Sequence, residues 1–422
     1  MTHPSAPRRV PLAVLDLVPI VEGGTAAEAL ADALELARSA ERAGYSRFWL
    51  AEHHLNPGVA GASPLALLGV LAGATESIRI GTAATLLGNY NPIQVAEAFG
   101  TVAQLFGARV DLGLGRSSFK HLIAAAVAAE AGADSGAAPE PGPEQAPVEN
   151  RVVDGLVLPP SRRLFLRPER FLVQARLLGR SADVEDTFAD DVADLLAFFA
   201  DDYEAADAVA PVHVQPAAGA PVEVWVHGSS AGPSARLAGA RGLRFGANYH
   251  VAPHAVLDSI AEYRAHFHPS PELTKPYVTV SADVLVAETE EEARRLAGGY
   301  AEWVLSIREG RGAIPYPTPE HAREISSLSD EELRTVIDRL DTRFVGTPEQ
   351  VVAQLETLQR VTGADELLLT SITHDSAARR RSQELLADAW FADGVNAPTD
   401  SVGLGQQDLV EQGTISALGG NA

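Results

Sequence analysis

The chain has 422 residues, of which 46% are hydrophobic and 21% are charged, and its formal net charge at pH 7 is −23. This composition is typical of a globular protein with a substantial core. The negative charge argues against nucleic acid and anionic membranes as partners, because both would be repelled. The absence of cysteine excludes disulfides, thiolate catalysis and zinc ribbons, so redox chemistry would require a bound cofactor.

The N-terminus and the hydropathy pattern predict a cytoplasmic protein. Residues 1–11 contain two arginines with no apolar signal core behind them. No stretch approaches 18 consecutive apolar residues, so we expect no membrane-spanning helix.

Short apolar runs alternate with amphipathic stretches, a pattern that predicts parallel strands connected by helices. In chain order, the predicted strands are 11–18, 47–52, 78–87, 109–113, 222–227, 244–249, 277–287 and 366–370. The predicted helices are 26–43, 64–72, 92–105, 188–200, 234–240, 256–267, 291–309 and 376–389. Eight of each predict an α/β protein with a (β/α)₈ TIM barrel, forming one domain over 1–392. An open doubly wound sheet is the alternative, but the loop at 19–24 lacks its glycine fingerprint.

Three segments fall outside this repeat. Residues 119–173 form an insertion after the fourth strand, with a Pro/Gly/Glu-rich middle that predicts a partly disordered loop near the site. Residues 311–332 form a proline-rich connection that leads into an extra helix. Residues 393–422 are rich in Gly, Gln, Asn and Ser and predict a flexible C-terminal tail.

Polar residues after the second strand are candidates for catalysis, because the carboxyl ends of barrel strands meet at one mouth. The sequence there reads Glu52-His53-His54. Successive strand residues face opposite sides, so at most one histidine can point into the mouth, where a neutral imidazole can transfer a proton. The alternatives are two structural histidines tied to Glu52, or a metal site that no HxH or HxxxH spacing supports.

Three other strand ends carry residues that could bind a ligand, each with a structural alternative. The small residues at 81–84 leave room for a ring, although they would also suit plain local packing. Arg116 suits either a phosphate or a salt bridge at the rim. Ser229, Ser230 and Ser234 lie at the start of a helix, where the N-terminus favours an anion; capping by Ser230 or Ser234 is the alternative.

Taken together, these motifs resemble the luciferase-like flavin-dependent monooxygenases of the bacterial luciferase superfamily. The resemblance covers about residues 10–118 and 183–392. It is carried, in order, by WLAEHH at 49–54, GTAA at 81–84, NPIQ at 91–94, LGLGR at 112–116 and GTPEQV at 346–351.

The resemblance implies an activity and its partners. Reduced FMN, supplied by a separate NAD(P)H-dependent flavin reductase, would react with O₂ to give a C4a-hydroperoxide that oxygenates a small organic substrate. His53 would act as acid or base near the flavin, with His54 and Glu52 beside it. The family is typically homodimeric, so a homodimer is expected; a bacterial source is suggested separately by the abundance of Ala, Gly and Pro in the chain. The alternatives are a deazaflavin-dependent hydride transfer on the same barrel and a non-catalytic flavin-binding protein.

The resemblance also implies which residues bind the cofactor and the substrate. Ala83 and Ala84 correspond to a position where the family has an unusual, often cis, peptide against the flavin ring. The implied cofactor-binding residues are Ala83, Ala84, Arg116, Ser229, Ser230 and Ser234. The implied lining of the substrate pocket is Asn89, Tyr90, Tyr249 and His250. The insertion departs from the family pattern, so the resemblance does not imply which substrate is used. One hypothesis is that Arg163 and Arg167, within the insertion, pair with an acidic substrate.

Overall fold

A computed structural model of the chain describes residues 9–116, 149–161, 168–179, 186–205 and 210–392. Its strands are β1 (Leu12–Asp16), β2 (Arg47–Leu50), β3 (Arg79–Thr82), β4 (Thr85–Leu86), β5 (Val110–Gly115), β6 (Arg151–Val153), β7 (Leu156–Leu158), β8 (Val222–Gly228), β9 (Arg244–Asn248), β10 (Val278–Val286), β11 (Phe344–Gly346) and β12 (Glu366–Thr370). Its helices are α1 (Ala26–Arg42), α2 (Pro64–Ala74), α3 (Pro92–Phe106), α4 (Pro168–Leu177), α5 (Phe188–Ala200), α6 (Pro233–Ala240), α7 (Val256–Ala265), α8 (Glu290–Leu296), α9 (Tyr300–Arg308), α10 (Asp330–Asp341), α11 (Pro348–Thr362) and α12 (Ser376–Phe391).

Eight parallel strands close into a barrel, which confirms the predicted fold and excludes the open sheet. The order around the barrel is β1, β2, β3, β5, β8, β9, β10 and β12. The barrel closes where β12 pairs with β1, with Leu12 opposite Leu367. Because all eight strands run in the same direction, their carboxyl ends meet at one mouth.

Local sequence signals fix the helix ends. Thr25 and Glu28 form a capping box at the start of α1, in which each side chain accepts from the other residue's backbone N–H. Ser329 and Glu332 form the same motif at α10. Gly363, with φ of 62°, ends α11 in the left-handed conformation that glycine adopts without steric cost.

Alternate strand residues face two different cores, as the two-residue period of a strand requires. Phe48 and Leu50 of β2 face outward and pack with the surrounding helices. Trp49, between them, faces the barrel interior, where its ring meets the Trp225 ring edge-on with centroids 4.9 Å apart.

Ion pairs fill the amino-terminal end of the barrel, which we call the floor. Arg47 Nη1 lies 2.8 Å from Asp111 Oδ2 and 2.7 Å from Glu223 Oε1, and its Nε lies 3.1 Å from Glu366. Burial alone would raise the pKa of Glu223, but Arg47, Arg79 and Arg244 together lower it to about 2. The floor is therefore occupied by protein, and the mouth is the end that can receive a ligand.

Two predicted elements are divided in the structure, so their predicted bounds were wrong. The strand predicted at 78–87 is interrupted at residues 83–84, between β3 and β4. The helix predicted at 291–309 is divided between α8 and α9 at Gly299, which has φ of 85°. A Cβ at Gly299 would lie 2.6 Å from Pro317 Cγ, so the chain turns where a side chain would clash.

The structure also adds elements that the sequence did not predict. β6 and β7 form an antiparallel hairpin within the insertion that was expected to be partly disordered, and α4 begins within the insertion and ends beyond it. β11 pairs with β10, so a short strand lies beside the barrel. Residues 117–148, which include the middle of the insertion, and the predicted tail at 393–422 lie outside the described residues, as do Arg163 and Arg167. None of the described helices is long and apolar enough to cross a membrane.

Candidate active site

A flat surface of backbone and small side chains lies at the mouth beyond β3. The peptide bond between Ala83 and Ala84 is cis, as the family resemblance implies. Both alanines are half-buried, and Gly115 of β5 faces Ala84. A Cβ built on Gly115 would lie 3.0 Å from Ala84 Cβ and 3.2 Å from Leu86 Cδ2, so any side chain there would crowd this surface. The two alanines and the glycine present little side-chain bulk, which suits a planar group.

Glu52 holds the loop that carries this surface. Its buried carboxylate accepts hydrogen bonds from the Leu86 backbone N–H at 2.9 Å and from Asn89 Nδ2 at 2.9 Å. His54 Nε2 lies 2.7 Å from the same carboxylate. The pKa of Tyr90 is raised by burial and then by the neighbouring charge of Glu52. Because the Glu52 carboxylate is already engaged by Leu86, Asn89 and His54, it is suited to holding this loop in place and not to transferring a proton.

His53 follows Glu52 and lies within electrostatic range of both His54 and His250. Its Nδ1 is buried and has no hydrogen-bond partner among the described residues. Burial, and then the charge of His54, lower the pKa of His53 to about 4. At neutral pH the ring is therefore uncharged and one of its nitrogens can accept a proton.

A chain of polar side chains forms the wall opposite Glu52. His250 Nδ1 lies 2.6 Å from Ser281 Oγ, and Asn248 Nδ2 donates to Ser229 Oγ at 2.9 Å. Burial, then Arg339 and His53, lower the pKa of His250 to about 3. Two uncharged histidines, His53 and His250, thus lie within electrostatic range of each other at the mouth.

His227 lies in the barrel just below this wall, in a slot made by two glycines. A Cβ at Gly246 would lie 2.1 Å from His227 Nδ1, and a Cβ at Gly113 would lie 2.8 Å from its Nε2. The Nε2 atom is buried and unpartnered among the described residues, and burial lowers the pKa of His227 to about 4. The imidazole therefore holds an uncharged, unpartnered nitrogen inside the barrel, beside Gly113 and the Trp49 ring, whose centroid lies 5.5 Å from that of His227.

The N-terminus of α6 also lies at the mouth. Gly232 is the cap residue and no side chain caps this end, so the predicted alternative of capping by Ser230 or Ser234 is wrong. Ser229 and Ser230 are exposed, and Ser234 lies in the first turn. Uncapped N–H groups beside hydroxyls favour an anion, because the helix dipole is positive at this end.

Arg116 lies at the carboxyl end of β5 and pairs with Asp186, just before α5. The rim salt bridge that the sequence left open is therefore present. The Arg116 side chain is 27% exposed, so a ligand phosphate can compete with Asp186 for the guanidinium.

Tyr249 is not part of the mouth, although the sequence placed it there. It lies just beyond β9 and faces outward, with its ring centroid 5.9 Å from that of Phe344 and the two rings tilted by 33°, and its hydroxyl donates to Val157 O at 2.8 Å. The physical reason is the strand period: Asn248 and His250 take the inward positions on either side. Asn89 and Tyr90 do lie at the mouth, beside Glu52.

Sequence reasoning missed His227, Asn248 and Ser281 as candidates. A signal was available for His227 and Asn248, which occupy inward-facing positions at the carboxyl ends of β8 and β9, but not for Ser281, which lies midway along β10 opposite Asn248. Among the described residues, no group of three or more potential metal ligands comes together.

Comparison with known proteins gives the family. The sequence model of the family described as luciferase-like monooxygenase matches residues 11–133 and 200–366 of this chain. The chain belongs to the luciferase-like monooxygenase family. A family relative from Escherichia coli K12, named luciferase-like monooxygenase, is 32% identical over 383 residues, which span 90% of this chain and 97% of the relative. The YvbT protein of Bacillus subtilis strain 168 is 33% identical over 379 residues, which span 90% of this chain and 96% of YvbT.

Solved structures agree with the family and the fold. Apo-MsnO8 superposes with a TM-score of 0.70 at 29% identity, covering 90% of this chain and 98% of MsnO8. The oxygenating constituent of 3,6-diketocamphane monooxygenase from Pseudomonas putida, solved with FMN, has a TM-score of 0.59 at 18% identity. The match covers 90% of this chain and 97% of that protein. An F420-dependent secondary alcohol dehydrogenase has a TM-score of 0.54 at 15% identity, and the match covers 90% of this chain and 98% of the dehydrogenase. The last two show the shared fold alone.

Proposed function

We propose that this monooxygenase uses reduced FMN and O₂ to oxygenate a small organic substrate at the mouth of the barrel. One observation carries the proposal: the flat Ala83–Ala84 surface and the uncapped N-terminus of α6 lie at the same mouth. A planar ring and an anionic tail are the two ends of FMN, and each part of the mouth suits one of them.

The residues present fit FMN in two further respects. His53 Nδ1, His227 Nε2 and Asn89 Oδ1 are buried polar atoms without partners among the described residues. Buried polar atoms without partners are costly, so a bound polar ring that supplies hydrogen bonds would stabilise them. Arg116, Ser229, Ser230 and Ser234 would hold the phosphate. We assign the ring to Ala83 and Ala84.

When bound, FMN supplies the electrons that reduce O₂; the chain supplies the surroundings. Uncharged His53 accepts or returns a proton at the reacting centre. Glu52 positions His54 and the loop that begins after Ala84. The inward apolar cluster, which includes Leu17, Val59 and Trp303, keeps water from the reaction. We expect a separate NAD(P)H-dependent reductase to provide FMNH₂, because no glycine fingerprint follows β1, and we expect a homodimer.

FMN titration tests this proposal, with riboflavin as the matched control. We expect saturable one-to-one binding of FMN, and we expect Arg116→Gln to weaken it by about 10-fold or more, the scale of one charged hydrogen-bonding pair. Riboflavin lacks the phosphate, so its affinity should be equal in the two proteins. The binding is measured by quenching of flavin fluorescence.

A parallel titration with the deazaflavin F420 distinguishes the alternative cofactor. Tighter binding of F420 than of FMN would favour hydride transfer on the same barrel over oxygenation. Absence of saturable FMN binding to the wild-type protein would contradict the proposal directly. FMN binding without O₂-dependent product from any small carbonyl, amine or sulfonate compound would indicate a non-catalytic flavoprotein.

A further inference from the structure

Arg339 lies on the face of α10 that is turned toward the mouth. Positions 336, 339, 340 and 343 share one face of a helix that continues into the next turn. Val336 is buried in the inward apolar cluster and Leu340 packs against it. Arg343, just beyond α10, reaches Asp283 of β10 at 2.8 Å. Arg339 is placed between these contacts.

Arg339 differs from the other arginines near the strand ends, because no carboxylate neutralises it. Arg343 pairs with Asp283, Arg379 pairs with Asp16, and Arg116 pairs with Asp186. For Arg339, no carboxylate of the described chain lies within ion-pair distance, and its Nε atom is buried without a hydrogen-bond partner. A partly buried charge without a counter-ion is unfavourable, so this position favours a negatively charged ligand.

The neighbours of Arg339 link it to the proposed reaction centre. Tyr300 lies beside Arg339: burial and then Asp283 raise the pKa of its hydroxyl, whereas the charge of Arg339 and a hydrogen bond with its side chain lower it. Arg339 likewise acts on His250, which in turn lies within electrostatic range of His53. Trp303 and Val304 of α9 supply apolar surface beside these groups.

We infer that Arg339 binds an oxyanion on the substrate, a carboxylate or a sulfonate, while the apolar part of the same molecule extends toward His53. The inference rests on the proposed monooxygenase function and names the substrate class of that site. A planar guanidinium suits an oxyanion, since its parallel N–H groups match two oxygens. The FMN phosphate is assigned to a different place, the N-terminus of α6.

The test uses FMN-saturated protein and three probes of equal chain length: hexanoate, hexanesulfonate and the uncharged hexanamide. Binding is followed by tryptophan fluorescence. We expect at least one anion to bind, and we expect Arg339→Gln to weaken it by about 10-fold or more. The affinity for hexanamide and for FMN should not change. Arg339→Lys, which keeps the charge, should recover part of the lost affinity.

Arg334→Gln is the matched control, because Arg334 lies on the exposed face of α10. Its anion affinity should equal that of the wild type, and the melting temperatures of all variants show whether they fold. Three results would overturn the inference: no anion binding to the wild type up to about 10 mM, a scale that marks affinities too weak to matter; equal anion affinity in Arg339→Gln; or a loss of FMN affinity in that variant, which would assign Arg339 to the phosphate. In the first two cases, intact FMN binding leaves the proposed function standing.

Discussion

Replacing His53 by alanine is expected to lower the rate of FMNH₂- and O₂-dependent product formation by about 100-fold or more, the usual scale for a lost general acid or base. The FMN dissociation constant should stay within about threefold of the wild-type value, since the phosphate grip lies elsewhere. The physical reason is that His53 is uncharged and has a buried nitrogen without a hydrogen-bond partner in the part of the chain that the structure describes. The rate is measured with the best compound from the substrate screen.

The pH dependence sharpens this prediction. Because burial lowers the pKa of His53 to about 4, the ring remains uncharged from pH 8 down to about 5. The acid limb of kcat should therefore lie well below pH 6.5, the usual pKa of histidine. His266→Ala, at the exposed end of α7, is the control and should keep full activity. Full activity in His53→Ala would remove the catalytic role from His53.

Replacing Arg47 by methionine is expected to lower the free energy of unfolding by about 3–5 kcal/mol, the cost of removing one partner from a buried ion pair. Arg47 bonds to Asp111, Glu223 and Glu366 at the floor of the barrel. Arg79 and Arg244 still contact Asp111 and Glu223 in the variant, but Glu366 loses its arginine. The free energy of unfolding is measured by urea denaturation.

The matched control is Arg294→Met, which removes an exposed ion pair with Glu290 on α8. Exposed pairs contribute about 0–1 kcal/mol, so this variant should unfold nearly like the wild type. The loss in free energy of unfolding that Arg47→Met causes relative to the wild type should also become smaller as pH falls from 7 to 5. The reason is that a buried carboxylate without its arginine takes up a proton. A loss below about 1 kcal/mol in Arg47→Met would show that the floor does not depend on Arg47.

The sequence predicted the barrel because its signal is repeated eight times: each apolar run is followed by an amphipathic helix. That at most one of His53 and His54 points into the mouth stays a prediction, because β2 ends at Leu50, before the two histidines. The division of 78–87 into β3 and β4 could not be predicted from composition, because the break falls at two alanines between two threonines, where no proline or charged residue marks it. The resemblance to the family was needed to single out Ala83 and Ala84.

Contacts between distant parts of the chain were beyond the reach of the sequence. Nothing in the order of residues pairs Arg116 with Asp186 or brings Arg339 to His250. Tyr249 was wrongly assigned to the mouth because it is a polar aromatic residue at a strand end. Its place in the inward–outward alternation of strand side chains was not considered. Asn248, one residue earlier, has the inward position, and the same rule would have found His227.

A crystal structure of the protein with bound FMN tests the central claim most directly. We expect the flavin ring against the Ala83–Ala84 peptide, its phosphate at the N-terminus of α6 within reach of Arg116, and His53 facing the ring. A mouth filled by the protein's own side chains, or FMN bound elsewhere on the surface, would contradict the account.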